Sequence, residues 1–567
     1  MLFLWLLAVL SFEKVPLEQV PAERCSLIDV NGDGWLDLVS GSQVFESLKG
    51  AAFSSGAGIF LNCSFSVWGD FDNDGKLDAL AVSRQTPAEF AQEPKHHRVY
   101  LSHRWLTSPE FRRPENWNTL GVALADLDRD GKLDVAFGQA YVDESKGYEA
   151  QQMRVYSGLG DGSFEEKTEK WGFLTPGPPG AANGGRPLYG LSAADVDNDG
   201  YPELLGAAYG RQWNTLWKRG KNAFYSECAA KFGLDGDSLR HGQYSEATRE
   251  KFRQRKQPRP DELPFRSNGN TFCLAPADFD GDGDLDVFSA DITHSWAGDS
   301  SDLSALLVNR LETFQEPFFE RCLEVLHQPD PETGFRVRPT RGLARDHSPQ
   351  PAANWNQGDL QAHWVDLDCD GLLDLVVCES DYPGNRLRIF LQQADRSFRE
   401  SEKELGIEFN NCPGVAIGDV DRDGDPDLVA LGTRTRWPEA RPKPEVVLWR
   451  NQTSNPSLNL RLVGDGLTAN RDAIGARVYL ETDQGTQMRE LQGSYGHWGQ
   501  QTQPGEVHFG LGNSTPRRIR IVWPDRELSQ TVIEKPAFPG WLVVHQRDYP
   551  EVFLPRFEPV AYLQGRL

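Results

Sequence analysis

The residues best placed to do chemistry are acids in a fixed phrase. Seven times the chain writes D-x-[DN]-x-D-G-x-x-[DE], starting at Asp29, Asp70, Asp126, Asp195, Asp278, Asp366 and Asp419. The first loop offers the side-chain oxygens of Asp29, Asn31, Asp33 and Asp37, the second those of Asp70, Asp72, Asp74 and Asp78. The third offers Asp126, Asp128, Asp130 and Asp134, and the fourth Asp195, Asp197, Asp199 and Glu203. The fifth offers Asp278, Asp280, Asp282 and Asp286, the sixth Asp366, Asp368, Asp370 and Asp374, and the seventh Asp419, Asp421, Asp423 and Asp427. Oxygen ligands at alternate positions, a glycine at the sharp turn and a closing carboxylate suit a hard cation such as Ca²⁺. Position seven ligates only through its backbone carbonyl, so it tolerates Trp35, Lys76, Lys132, Tyr201, Asp284, Leu372 and Asp425. A plain hairpin turn needs one Asp. Each of these loops spends four ligands, and without a cation that crowding of like charge is repulsive.

The loops are not EF-hands. An EF-hand closes with Glu at position twelve between two helices. Position twelve here is Ser40, Ala81, Phe137, Gly206, Ser289, Val377 or Ala430. A short apolar run follows each loop, such as Ala79-Leu80-Ala81-Val82, and alternation often precedes it, as in Gly414 to Gly418. Such runs bounded by turn residues read as strands, so each loop joins the two strands of a hairpin.

The repeat spacing predicts an all-β fold, a seven-bladed β-propeller over residues 11–453. A blade needs about 40–50 residues, so the longer repeats carry insertions. A count of six or eight blades stays open if one loop sits on an atypical blade. The last repeat lacks the Ser-Phe strand found after other repeats, and Ser11-Phe12-Glu13-Lys14-Val15 supplies the missing phrase. This segment is expected to be the outer strand of the last blade. From about residue 454 the acidic loops stop, and alternation such as Leu458-Asn-Leu460-Arg-Leu462 predicts a β-sandwich over 454–547, with 548–567 as a tail.

Composition agrees with a metal-loaded protein. The formal net charge is −24. Seven divalent cations would offset more than half of it, so the acidity is mostly ligand and argues against nucleic-acid binding. No apolar run is long enough for a spanning helix. Residues 1–10 have the length of a signal-peptide core but no basic start and no clean cleavage site; an uncleaved or mis-started N-terminus is the alternative. Eight cysteines include no C-x-x-C pair. Cys25, Cys63, Cys273 and Cys412 precede acidic loops and read equally well as core thiols or as bridges.

The acidic loops resemble the FG-GAP (VCBS-type) repeats of integrin α-subunit propellers. The segments Asn455 to Leu462, Gly475-Ala-Arg-Val, Gly493-Ser-Tyr-Gly, Val507 to Gly512 and Ile521 to Asp525 resemble the ASPIC/UnbV domain. Together they are similar to the cartilage acidic protein family, in a bacterial-type form, over nearly the whole chain. The resemblance implies a secreted or periplasmic calcium-binding protein, with up to seven Ca²⁺ and no established enzymatic reaction.

No nucleophile elbow, H-E-x-x-H or phosphate-binding glycine loop occurs. The remaining chemistry lies in long insertions, where His241, His294, Trp296, Trp355 and His363 form a candidate ligand face if the loops share one mouth of the channel. The expectation is a non-catalytic protein that binds or adheres to a protein or glycan. The alternative is a calcium-dependent, polysaccharide-lyase-like enzyme with His241 or His294 as base.

Overall fold

The computed structural model describes residues 10–547 except 23, 55–62, 86–88, 90–91, 94, 103, 107–117, 142–149, 176–184, 295–300, 323–327, 330–335, 338–355, 383 and 500. The candidate signal segment, apart from Leu10, and the tail at 548–567 lie outside the described residues.

All seven acidic loops join antiparallel strands in one register. The closing acid pairs with the residue just before the first Asp: Ile28 with Asp37, Gly69 with Asp78, Ala125 with Asp134, Ala194 with Glu203, Ala277 with Asp286, Val365 with Asp374 and Gly418 with Asp427. The glycine at position six explains the tight turn. Its φ runs from +87° at Gly75 to +107° at Gly424, a region open to Gly at little cost. The strand after the loop is buried along its whole length in Asp134–Gln139, Glu203–Ala208, Asp374–Glu379 and Asp427–Gly432. Burial on both faces accounts for the continuous apolar runs read in the sequence.

What covers those faces is the next hairpin sheet in sequence. Val39 packs with Trp68 and Ala79, Leu80 with Val122 and Val135, and Ala136 with Leu191 and Leu204. Leu205 packs with Leu274 and Val287, Phe288 with Ala362 and Leu375, and Val376 with Val415 and Leu428. The series closes on itself, because Val429 and Leu448 of the last sheet share a core with Leu38 and Phe45 of the first. An all-β, propeller-like ring of sheets results.

The ring is fastened at its ends as expected. Strand Phe12–Pro16 pairs antiparallel with Glu445–Asn451, Phe12 opposite Asn451, and completes the last four-stranded sheet. Phe12 itself is half-buried against the core between the last two hairpin sheets.

The C-terminal strands form two sheets. Ser457–Val463 lies between Glu506–Gly510 and Gly540–His545, the second pairing being parallel. Arg477–Thr482 lies between Thr486–Glu490 and Pro516–Val522, with Gln530–Glu534 at the edge. Leu458, Leu460, Val478, Phe509, Ile519 and Trp523 fill the space between the sheets. Cys273 and Cys412 are buried, Cys25 and Cys63 half-buried.

Candidate metal centres

Each acidic loop is held by its own carboxylates. In the sixth loop Asp366 Oδ1 accepts the Asp370 N–H at 3.0 Å and Oδ2 the Gly371 N–H at 2.9 Å. Asp374 Oδ2 accepts the Leu367 N–H at 2.9 Å and Oδ1 the Gln392 N–H of the next strand at 2.8 Å. The same four bonds recur around Asp29 and Asp37, and around Asp70 and Asp78. These contacts fix where the carboxylates sit before any ion arrives.

The ligand atoms converge. One oxygen each from Asp70, Asp72 and Asp78 lie within 4.8 Å of one another, as do those of Asp126, Asp128 and Asp134. The same holds for Asp195, Asp197 and Asp199, for Asp278, Asp280 and Asp282, and for Asp366, Asp368 and Asp374. Burial pushes Asp37 up to about 7 and Asp78, Asp126 and Asp419 up to about 8, with neighbouring acids adding to the rise. Several buried acceptor oxygens also lack a donor: Asp128 Oδ1, Asp286 Oδ2, Asp419 Oδ1 and Asp421 Oδ1. Convergent, unpartnered, buried carboxylate oxygens fit a divalent cation of the calcium type. Such an ion would neutralise the acids and tie the hairpin turn to the strand that follows.

Three features of these loops exceed the sequence reading. At position seven, Asp284 and Asp425 add carboxylates that interact with the other acids of their loops. Both Asp284 oxygens and Asp425 Oδ1 are buried without a donor. Burial and the adjacent Asp282 raise Asp284 to about 7; burial and Asp423 raise Asp425 to about 9. At position four the backbone is left-handed in every loop, through Gly32, Asn73, Arg129, Asn198, Gly281, Cys369 and Arg422. In the fourth loop the Lys218 ammonium lies against Asp197, 3.4 Å from Asp199 Oδ2 and 3.6 Å from Glu203 Oε1.

The C-terminal sandwich is seated on this loop face. Asp472 accepts the Asp70 N–H at 2.7 Å, and Glu490 accepts the Asp195 N–H at 3.2 Å. Asp366 Oδ2 accepts the Gly510 N–H at 3.0 Å, and Arg129 donates to the Asp525 carbonyl. A segment of the sandwich, residues 492–499 and 501–503, then enters the centre of the ring. Gln492 donates to Pro276 O, Ser494 to Val122 O, and Gln361 to His497 O. His497 Nδ1 meets Tyr189 O at 2.9 Å, while Gln501 and Gln503 accept the N–H groups of Trp68 and Asp29. Gly493 passes so close to the Leu124 carbonyl that a Cβ there would collide with it.

Of the five residues of the candidate ligand face, His241, His294 and His363 are described. His363 is buried three residues before the sixth loop, its Nδ1 3.1 Å from the Tyr495 hydroxyl. His241 is exposed, in the connection that packs beside Glu262, ahead of the strand Asn270–Ala277 and so at the sheet end opposite the loops. His294 ends the strand Asp286–His294 and pairs with Asn356, also at the end remote from the loops. Trp296 and Trp355 lie outside the described residues.

Fold and loops together define a class, a propeller-like protein built on acidic hairpin loops. Residues 70–137 and 352–430 match the FG-GAP-like repeat, and residues 466–548 match the ASPIC and UnbV family. The chain therefore carries FG-GAP-like repeats followed by an ASPIC and UnbV segment. Comparison with curated proteins finds no significant match. Among solved structures, BBS1N in complex with ARL6DN aligns at 10% identity over 78% of this chain and 97% of that one, with a TM-score of 0.37. A putative phosphatase from Bacteroides thetaiotaomicron VPI-5482 aligns at 12% identity over 78% and 79%, with a TM-score of 0.35. An ancestral GH74 enzyme aligns at 10% identity over 93% and 78%, with a TM-score of 0.25.

Proposed function

We propose that this chain is a secreted or periplasmic calcium-binding protein whose seven acidic loops rigidify a seven-bladed propeller. Its role is non-catalytic attachment to a protein or glycan. The observation that carries the metal reading is the repeated loop scaffold, in which backbone N–H groups hold converging carboxylates in place while several buried oxygens of the same loops have no donor. Rigid closed rings present broad surfaces at low ordering cost, which suits binding. No helix of the described residues is long and apolar enough to cross a membrane.

The experiment is a glycan and extracellular-protein binding array with the calcium-loaded chain, followed by product analysis of every glycan retained. Calcium-dependent retention with the glycan chemically unchanged is the expected result. Shortened or unsaturated glycan products would overturn the non-catalytic role.

A further inference from the structure

The C-terminal sandwich has one side that no described strand closes. On its other side the edge strands meet, since Gln487 of Thr486–Glu490 donates to Gly510 O of Glu506–Gly510 at 2.9 Å. The two sheets therefore end together on Gln530–Glu534 and Gly540–His545, each paired along one edge alone among the described residues. Ile533 and Leu542 reach the core between the sheets from these strands but stay only partly buried. Val532, Phe538 and Val543 around them are 50%, 39% and 40% exposed. Open sheet edges beside apolar side chains favour the addition of another strand.

We propose that the chain's own C-terminal segment closes this side, with residues 552–559 lying antiparallel to Gly540–His545 as an added outer strand.

The place where the chain leaves the described residues favours this occupant. Arg547 is the last of them, two residues beyond the end of Gly540–His545. The exit is held in place: the Gln546 N–H donates to Val463 O at 3.0 Å, and Arg547 Nε lies 3.2 Å from Asp465 Oδ2. Residues 546–551 suffice for a hairpin return and include the turn formers Asp548 and Pro550. Residues 552–559 then read Val-Phe-Leu-Pro-Arg-Phe-Glu-Pro.

Backbone direction fits this segment to this edge. Backbone groups of successive strand residues alternate between the two edges, as their side chains alternate between the two faces. Gln546 aims its N–H at Ser457–Val463, so Leu542 and Val544 do the same, and Val543 aims at the open edge. Leu542 and Val544 are also the residues whose side chains enter the core. In an antiparallel neighbour, residues with inward side chains must then aim their N–H groups away, toward solvent. Phe553, Pro555, Phe557 and Pro559 share one parity. One register therefore turns both phenylalanines toward Ile533 and Leu542 and puts both missing proline N–H groups on the solvent edge, where proline is tolerated. The donors of Val552, Leu554, Arg556 and Glu558 all remain for pairing. This inference uses no bond of the metal sites.

The test is residue-resolved amide hydrogen exchange on the calcium-loaded full chain and on a chain ending at Arg547. The Val543 N–H should exchange about ten-fold faster or more in the shortened chain, while Leu542 and Val544, bonded to the inner strand, keep their protection. A synthetic peptide of residues 548–567 should restore the slow exchange. Phe557→Ser in the full chain, which keeps the tail but removes an inward anchor, should speed Val543 in the same direction, so the idea stays testable if the shortened chain fails to fold. Equal exchange at Val543 in the full chain and in the folded variants overturns the proposal. Protection of Val543 that rises with protein concentration would assign the edge to a second copy and overturn it as well.

Discussion

Arg422, at the fourth position of the seventh acidic loop, and Glu506, in the sandwich, share two parallel hydrogen bonds of 3.0 Å. The Arg422 Nε reaches on to Gly34 O of the first loop at 2.8 Å, and the guanidinium lies over the Trp541 ring. One planar fork therefore ties the closing point of the ring to the sandwich, a task a lysine's single ammonium cannot reproduce.

Removing either partner strands the other charge. The two side chains are 5% and 13% exposed, so Arg422→Ala should cost about 3–5 kcal/mol, with Arg422→Lys falling between it and the parent. Denaturant unfolding measures the loss. Limited proteolysis should release the sandwich from the alanine variant first.

Lys218 predicts unequal metal sites. Its ammonium already neutralises part of the fourth loop, so a divalent ion there must displace it. The fourth site should be the weakest of the set. Lys218→Met should strengthen it and sharpen the calcium titration, which isothermal calorimetry would detect. An unchanged titration would mean the lysine swings clear without cost.

The metal-free chain should lose stability as pH rises. Burial holds Asp37, Asp78 and Asp419 at about 7, 8 and 8, against 3.8 for an ordinary aspartate. Above pH ~4 the unfolded chain has released protons that the native chain still holds, so the native state binds more protons and stability falls with rising pH. The contribution is fully present below ~4 and is lost as pH passes through 7 to 8. With calcium the trend reverses, because protons and metal compete for the same oxygens. Melting curves at several pH values, with and without chelator, check the sign of both slopes.

Closure by the N-terminal strand is directly testable. Deleting residues through Pro16 removes the five pairings from Phe12–Asn451 to Pro16–Val447 and exposes the edge of Glu445–Asn451. The loss should be several kcal/mol, at about 0.5–1.5 kcal/mol per hydrogen bond, and the bare edge should promote aggregation. Deleting residues 1–9 alone should leave the melting temperature unchanged.

The hairpins were legible because their information is local. Alternating acids, a glycine that tolerates positive φ and an apolar run fix turn, register and strand within about a dozen residues. Phe12–Pro16 was legible because the last repeat lacked one phrase. The seat of the sandwich was not legible. It depends on position-four side chains such as Arg129 and Arg422, and on Asp472 and Glu490 meeting backbone N–H groups far away in sequence. Residues 492–503 gave no periodic signal; among the described residues they form only the two-residue strand Gly496–His497 and bond mainly to other elements. The carboxylates of Asp284 and Asp425 are not legible from a phrase in which position seven takes any residue type, Trp35 and Leu372 included. Which sheet end His294 and His363 occupy was not legible either, since the strands run between two opposite ends of the sheets and His294 closes its strand while His363 stands three residues before a loop.

Calcium stoichiometry, measured together with melting temperature, tests the central claim most directly. The chain is stripped with chelator, reloaded, and analysed for bound metal while its thermal unfolding is followed. The account predicts close to seven calcium ions per chain, the fourth site filling last, and a melting temperature that climbs with free calcium because the ion binds the native state. A chain that binds no calcium, or that melts at the same temperature with and without chelator, would contradict it.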